Sequence, residues 1–320
     1  MLVSCRFPDR IRQELRRGFE LDEHESDEPL PRAELLARAA GAQGLAVTPA
    51  DRIDAELLAA AGPGLEIVAT FSVGVDHVDL AAATERGVLV ANTPGATTAP
   101  TAELTLALAL GLLRRVAEGD RLVRAGRPWR LSPTFMLGRG LAGLTLGLVG
   151  FGQIGREVGR LAEAFGMRVV HHTRSGRGES GWLPLGELLA SADVVSLHCP
   201  LTEETRHLID AAALARMKPS AVLVNAARGP VVDEGALVEA LAAGTLAGAA
   251  LDVYEREPDV HPGLLELENV VLVPHLGSAT AQARDEMGAY CVAALRGVLL
   301  DGRLPENVLN PQADRRRLAR

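Results

Sequence analysis

The chain has 320 residues, of which 48% are hydrophobic and 23% are charged. At about 150 residues per domain this length predicts two folded domains, and the composition argues against a disordered or coiled-coil protein. The formal net charge of −8 disfavours a nucleic acid or an anionic membrane surface as a partner. Three widely spaced cysteines without a CxxC pair give no sign of a disulfide framework or a metal site.

The sequence also carries no pattern of a membrane or secreted protein. No purely apolar run reaches the roughly 20 residues that a bilayer span needs, and the first residues lack the apolar core of a signal peptide. Together with the few cysteines, this predicts a cytoplasmic location.

Strand and helix patterns alternate along the chain, which predicts parallel sheets joined by right-handed crossovers. Predicted strands lie at 1–7, 44–48, 65–71, 144–150, 167–172, 192–198, 221–227, 246–253 and 270–274. Predicted helices lie at 9–19, 31–40, 54–62, 101–116, 154–166 and 279–300, and an irregular linker lies at 125–141. The expected fold class is therefore α/β, with two Rossmann-like or flavodoxin-like parallel-sheet domains.

A glycine-rich loop joins the strand at 144–150 to the helix at 154–166. Gly150, Gly152 and Gly155 fit the pattern G-x-G-x-x-G in this strand–helix setting. The first glycine permits a tight turn, the second lets backbone N–H groups approach a pyrophosphate, and the third lets the helix pack on the strand. We predict a dinucleotide site that includes Gln153 and Ile154; a turn without a ligand is the alternative.

The end of the next strand bears on the choice of dinucleotide. An NAD site usually has Asp or Glu here to bind the ribose hydroxyls, whereas this chain has Thr173, Arg174 and Ser175. A neutral residue followed by a guanidinium removes repulsion towards a 2′-phosphate and offers it charged hydrogen bonds. The prediction is NADP in preference to NAD, with NAD still possible. Arg174 and Arg177 as solvated loop charges are the alternative.

Three polar residues stand in otherwise apolar strand-to-loop segments: Arg228, Glu257 and His275. Ligands of doubly wound sheets bind at the carboxyl ends of the strands, where these residues are expected. Reduction of a 2-oxo acid needs a fork for the carboxylate, a proton donor for the carbonyl oxygen and a carboxylate that orients the donor. Each residue alone could be structural, but the set predicts this chemistry.

Five ordered motifs resemble the D-isomer-specific 2-hydroxyacid dehydrogenase family: GFGQIG, HCPLTEET, NAARGPVVDE, LDVYEREP and VPHLGSAT. Upstream, SVGVDHVDL is similar to the family's substrate-carboxylate loop, and NTPGATTAPTAEL to the entry of its interdomain helix. The SVGVD pattern and the Thr-Arg strand end look most like the glyoxylate/hydroxypyruvate reductases. The resemblance implies an NAD(P)-dependent oxidoreductase that reduces glyoxylate or hydroxypyruvate.

The resemblance also implies roles for individual residues. His275 would be the general acid, Glu257 its partner, and Arg228 the anchor for the carboxylate and carbonyl of the substrate. The backbone N–H groups of Val73 and Gly74 would bind the other side of the carboxylate. The resemblance adds Ser278 to the substrate contacts and Thr98, Cys199, Pro200, Thr205, Ala226, Ala227, Asp252 and Gly277 to the cofactor contacts. No metal is expected.

The order of the motifs implies a dinucleotide-binding domain at 94–280 inserted into a substrate-binding domain formed by 1–93 and 281–320. A homodimer is expected, since the family usually pairs through the cofactor domain. Two alternatives are an NAD-dependent D-3-phosphoglycerate dehydrogenase, which usually carries the acidic ribose ligand, and a non-enzymatic corepressor that senses a dinucleotide. Turnover separates the corepressor from the enzymes.

Overall fold

The computed structural model describes residues 1–176 and 178–314. Arg177, one of the two arginines considered above, and the tail at 315–320 lie outside the described residues. The chain forms two compact units. Unit 1 comprises Met1–Thr97 and the chain from Thr280 onward, and unit 2 comprises Thr98–Ala279.

The strands of the described residues are β1 (Leu2–Val3), β2 (Asp22–Glu23), β3 (Gly44–Val47), β4 (Ile67–Thr70), β5 (Leu89–Ala91), β6 (Thr145–Val149), β7 (Arg168–His172), β8 (Val194–Leu197), β9 (Val222–Asn225), β10 (Gly248–Leu251) and β11 (Val270–Leu272). The α-helices are α1 (Asp9–Arg16), α2 (Arg32–Ala39), α3 (Ala55–Ala61), α4 (Leu80–Glu85), α5 (Thr98–Leu113), α6 (Val116–Arg124), α7 (Gln153–Ala164), α8 (Leu185–Ser191), α9 (Ala211–Leu214), α10 (Glu234–Ala242), α11 (Pro262–Leu265) and α12 (Ala281–Leu299).

Each unit is built on one parallel sheet, which confirms the predicted fold class. The strand order is β2-β1-β3-β4-β5 in unit 1 and β11-β10-β9-β8-β6-β7 in unit 2. Every residue of β3, β4, β6, β8, β9 and β10 is buried, as expected for parallel strands covered by helices on both faces.

The register of the unit 2 sheet aligns the carboxyl ends of its strands. Val149 at the end of β6 pairs with Leu197 of β8, which pairs with Asn225 of β9. Asn225 in turn pairs with Leu251 of β10, which pairs with Leu272 of β11. The loops that follow these strands therefore begin side by side along one edge of the sheet.

The prediction of one helix at 101–116 was wrong in its bounds. Helix α5 spans Thr98–Leu113, and a second helix, α6, occupies Val116–Arg124, where no helix was predicted. The break lies at Arg115, whose backbone is left-handed with φ 56° and whose side chain binds Glu118 at 2.7 Å. Pro100 lies in the first turn of α5, where a missing N–H costs no hydrogen bond.

Smaller differences concern helix ends and short elements. Helices predicted at 9–19, 154–166 and 279–300 are each a few residues shorter or shifted, as α1, α7 and α12. Among the described residues, no helix combines the length and apolar character needed to cross a membrane.

Candidate active site

The aligned strand ends of unit 2 gather most of the predicted site residues. Gly150 follows β6, Ala226 follows β9, and Asp252 follows β10, so the three loops leave the sheet at the same edge, those after β9 and β10 side by side and that after β6 separated from them by β8. Val73 and Gly74 belong to unit 1, where they follow β4. Their backbone N–H groups donate no hydrogen bond to any described residue, while the Val73 carbonyl accepts one from Asn92 at 2.8 Å.

The glycine loop has the close contacts that its pattern predicts. Gly150 has φ +98°, and a Cβ there would lie 2.5 Å from the backbone of His198. A Cβ at Gly155 would lie 2.3 Å from the carbonyl oxygen of Gly150, so the helix and the turn touch backbone to backbone. A Cβ at Gly152, by contrast, would meet nothing within 4 Å. The first and third glycines are therefore required by packing, while the second borders open space.

That open space lies at the amino end of α7. Gly152 is the residue preceding this 12-residue helix, and no side chain caps the helix there. The first N–H groups of a helix, at Gln153 and Ile154 here, have no partner within the helix and attract a phosphate group. The loop thus fits the pyrophosphate of a dinucleotide.

Aromatic stacking fixes the loop from the side. The Phe151 ring stacks on His171 of β7, with centroids 4.0 Å apart and planes inclined by 8°. The guanidinium of Arg156 lies over the Phe151 ring at 4.5 Å from its centroid.

The residues predicted to determine the preference for NAD or NADP follow β7 directly. Thr173 is half-buried, whereas Arg174 and Ser175 are exposed. Arg174 lies 3.7 Å from the carboxylate of Glu204, and both side chains are exposed. Such a surface pair contributes little free energy and leaves the guanidinium accessible to a phosphate.

Hydrogen bonds of one threonine hydroxyl stabilise the loop after β8. The Thr205 hydroxyl donates to the carbonyl of Pro200 at 2.7 Å and accepts from the N–H of Thr202 at 2.7 Å. Burial raises the pKa of Cys199 to about 11, so this thiol is neutral at physiological pH and is a poor nucleophile.

Arg228 lies in a short, strongly constrained loop after β9. Asn225 donates from Nδ2 to the Arg228 carbonyl at 3.0 Å and accepts from the N–H of Ala227 at 3.1 Å. A Cβ at Gly229 would lie 1.9 Å from the carbonyl carbon of Tyr254. The Arg228 loop therefore packs directly on the backbone of the segment that carries Glu257.

Glu257 and His275 form the most direct side-chain contact in the site. Nδ1 of His275 lies 2.7 Å from Oε2 of Glu257, and the N–H of Tyr254 donates to Oε1 of Glu257 at 3.0 Å. His275 has φ +51°, and its own N–H donates to the Asp252 carbonyl at 2.9 Å. Since Nδ1 is bound to Glu257, Nε2 is the ring nitrogen that remains for another partner.

Several charges act on Glu257. Burial raises its pKa, but the hydrogen bond and charge of His275, the N–H of Tyr254 and the charge of Arg228 outweigh burial and lower it. Glu257 is therefore an anion at neutral pH, close to both Arg228 and His275. The structure thus brings Arg228, Glu257 and His275 together.

Asp252 holds the turn that follows His275. Its buried carboxylate accepts from the N–H groups of Leu276 at 2.5 Å and Gly277 at 2.9 Å, and burial raises its pKa. The Gly277 carbonyl accepts from the hydroxyl of Thr101 at 3.0 Å. Ser278, which is half-buried, continues this turn. The predicted contact of Asp252 with the cofactor would be additional to this anchoring of the turn.

Of the remaining predicted cofactor contacts, Thr98 is the first residue of α5 and is half-buried, and Ala226 and Ala227 lie in the Arg228 loop. The sequence reasoning missed Asn225, Gly229 and Tyr254, which position Arg228 and Glu257. The only sequence signal for them is their place beside the charged residues in the NAARGP and LDVYEREP motifs.

Substitution of the second and third glycines should separate binding from folding. Gly155→Ala should destabilise the protein by about 1–3 kcal/mol, because the new methyl group collides with the Gly150 carbonyl. Gly152→Ala should change stability by less than about 1 kcal/mol but weaken dinucleotide binding, because its methyl group occupies the space left for the pyrophosphate. Urea unfolding and fluorescence titration with NADPH measure the two effects. Unchanged affinity in Gly152→Ala would contradict this assignment of the loop.

The lowered pKa of Glu257 predicts a pH dependence of stability. Ionised Glu257 stabilises the fold above its ordinary pKa of 4.5, and this contribution is lost as the pH falls through the lower folded pKa. The difference in free energy of unfolding between wild type and Glu257→Gln should shrink as the pH falls below about 4.5. Urea unfolding over a pH series tests this, and a difference that is the same at every pH is the contrary result.

Comparison with known proteins places the chain in a family. Residues 106–277 match the family model described as D-isomer specific 2-hydroxyacid dehydrogenase, NAD binding domain. A glyoxylate reductase of Aeropyrum pernix is 44% identical over 316 residues, which cover 95% of this chain and 93% of the relative.

Solved structures agree over nearly the whole chain. The TT0316 protein of Thermus thermophilus is 50% identical with a TM-score of 0.91, covering 96% of this chain and 99% of that one. An NADPH-dependent glyoxylate/hydroxypyruvate reductase of Sinorhizobium meliloti, in complex with NADP and malonate, is 35% identical with a TM-score of 0.85, covering 98% and 97%. The chain belongs to the D-isomer specific 2-hydroxyacid dehydrogenase family.

Proposed function

We propose that this protein reduces small 2-oxo acids, glyoxylate and hydroxypyruvate, to the corresponding 2-hydroxy acids with a nicotinamide dinucleotide. The observation that carries the proposal is the 2.7 Å contact between Glu257 and Nδ1 of His275. This pair lies close enough to Arg228 for the guanidinium to lower the pKa of Glu257. The glyoxylate reductase of Aeropyrum pernix, similar over 95% of the chain, supports the same substrate class.

Each of these residues has a separate role in the proposed reaction. Arg228 binds the carboxylate and the carbonyl oxygen of the 2-oxo acid. The dihydronicotinamide, when bound, supplies a hydride to the carbonyl carbon. His275 gives a proton from Nε2 to the carbonyl oxygen, which completes the 2-hydroxy acid. The Glu257 carboxylate stabilises the imidazolium before the transfer and holds the ring by Nδ1 afterwards.

The dinucleotide is held by the glycine loop and the end of β7. Gly150, Gly152 and Gly155 form the pyrophosphate turn. The absence of an acid at 173–175 and the exposure of Arg174 favour NADP over NAD as the preferred cofactor. The absence of this acid also disfavours a D-3-phosphoglycerate dehydrogenase. The pair of Glu257 and His275 favours an enzyme over a corepressor without catalytic activity.

A homodimer is supported by apolar side chains on one segment of unit 2. Large hydrophobic side chains between residues 116 and 137 are exposed: Val116, Val123, Trp129, Leu131, Phe135 and Leu137. Leu131 is 94% exposed, which is unfavourable in water and favours contact with a second copy. A cytoplasmic location stays a prediction.

The role of His275 predicts a specific loss of activity. His275→Ala should lower kcat/KM for glyoxylate by about 10²- to 10⁴-fold, or ~3–5 kcal/mol, because the proton donor is removed. Affinity for the dinucleotide should change little. Spectrophotometric assays and cofactor titration measure both, with His24→Ala in unit 1 as the control. Full activity in His275→Ala would refute the mechanism.

The role of Arg174 predicts a cofactor-specific effect. Arg174→Ala should lower kcat/KM for NADPH by roughly 10- to 100-fold and leave NADH nearly unchanged, because only NADPH carries the 2′-phosphate. Arg303, which also forms an exposed ion pair, with Asp301, provides the matched control as Arg303→Ala. If wild type prefers NADH, or if Arg174→Ala affects both dinucleotides equally, the preference for NADP is wrong.

A further inference from the structure

Tyr254 contacts both members of the pair formed by Glu257 and His275. It is 6% exposed, and its backbone N–H donates to Oε1 of Glu257 at 3.0 Å. Its hydroxyl donates to the carbonyl of Val273 at 3.0 Å. The same carbonyl lies 3.2 Å from the N–H of His275. The Tyr254 hydroxyl and the backbone of His275 therefore share one acceptor, and all of these residues belong to unit 2.

The hydroxyl of Tyr254 is a hydrogen-bond donor at physiological pH. Burial and the charges of nearby carboxylates raise the pKa of Tyr254 to about 12, so the phenol stays protonated. The carbonyl of Leu251 is also in reach, at 3.4 Å, but it already accepts from the N–H of Val273 at 3.0 Å. Since the shorter contact is the stronger hydrogen bond, the Val273 carbonyl is the main acceptor.

The Val273 carbonyl lies just beyond the paired part of the sheet. β11 is an edge strand, and its pairing with the neighbouring strand ends one residue earlier. The N–H of His275 lies closer to the Asp252 carbonyl, at 2.9 Å, than to that of Val273. The Tyr254 hydroxyl therefore gives the Val273 carbonyl the shorter of its two hydrogen bonds.

The backbone of His275 has a conformation that few residues with a side chain adopt. Its φ of +51° lies in the left-handed region. Such a conformation persists only where the surrounding structure fixes it. The carbonyls of Asp252 and Val273 both lie against the N–H of His275, and the Tyr254 hydroxyl fixes the second of them. Without the hydroxyl, the Val273 carbonyl could turn, and the backbone that carries the imidazole would turn with it.

Tyr254 itself has little room to move. A Cβ at Gly229 would lie 1.9 Å from the carbonyl carbon of Tyr254, so the Arg228 loop packs directly on this backbone. The side chain lies in the hydrophobic core of unit 2 with Leu251 and Val270. A residue fixed at both ends can hold the two loops that carry Glu257 and His275 at a constant separation.

We propose that Tyr254 is a positioning residue, whose hydroxyl keeps the imidazole of His275 against Glu257 while the 2-oxo acid is reduced. This assignment rests on the proposed function, in which His275 is the general acid. The backbone N–H of Tyr254 orients the carboxylate, and its hydroxyl orients the backbone of His275. The 2.7 Å contact between the two side chains then depends on a residue that does not touch the substrate.

The test removes the hydroxyl alone. Tyr254→Phe keeps the ring in the core and the N–H on Glu257, but it removes the donor to Val273. The variant should lower kcat for glyoxylate roughly 5- to 50-fold, because a displaced general acid transfers its proton more slowly. KM for glyoxylate and the affinity for NADPH should change little, since Arg228 and the glycine loop are untouched.

The solvent deuterium isotope effect on kcat separates positioning from a general structural role. It should rise in Tyr254→Phe, because proton transfer then limits turnover more than in wild type. A general loss of folded protein would lower the rate without changing this ratio. Expressing kcat per site that binds NADPH removes the contribution of unfolded protein.

The other tyrosine of the chain provides the matched control. Tyr290→Phe, in α12 of unit 1, should leave both kcat and the isotope effect at the values of wild type. An unchanged kcat in Tyr254→Phe, or a lower kcat with an unchanged isotope effect, would overturn the role of Tyr254 and leave the reductase intact. Wild type that reduces neither glyoxylate nor hydroxypyruvate would overturn the proposed function and this assignment with it.

Discussion

The hydrogen bond between Glu257 and Nδ1 of His275 determines what chemistry the site can perform. It fixes the ring orientation, and it places an anion beside the imidazole, as the proposed role of His275 as a general acid requires. The pair forms from two loops that are 18 residues apart in sequence. In the proposed reaction neither residue alone would serve as the acid; together they would give a proton donor at Nε2, the ring nitrogen that does not contact Glu257.

This contact depends on the backbone around it more than on the two side chains. The Tyr254 N–H fixes one oxygen of Glu257, and the Asp252 carbonyl holds the N–H of His275 in a left-handed conformation. Asp252 and Tyr254 lie just beyond β10. The register of β10 with β9 determines where the Arg228 loop begins relative to these two residues. Gly229 then allows that loop to touch the Tyr254 backbone, where any side chain would collide. The parallel sheet is thus the frame that brings three distant motifs into one site.

Much of this arrangement could be predicted because strand ends in a parallel sheet must meet at one edge. The glycine loop could also be predicted, because Gly150 and Gly155 make backbone contacts that only glycine permits. The break at Arg115 was not predictable, since arginine is a good helix former and only its left-handed backbone, with φ 56°, shows where one helix ends.

The tautomer of His275 tests the central claim most directly. Nitrogen-15 NMR of the imidazole, recorded on the neutral ring in wild type and in Glu257→Gln, reports which ring nitrogen carries the proton. The account predicts that wild type is almost entirely the Nδ1–H form, with Nε2 unprotonated, and that Glu257→Gln shifts towards a mixture of the two forms. A wild-type ring protonated mainly on Nε2 would show that Glu257 does not hold the general acid as described.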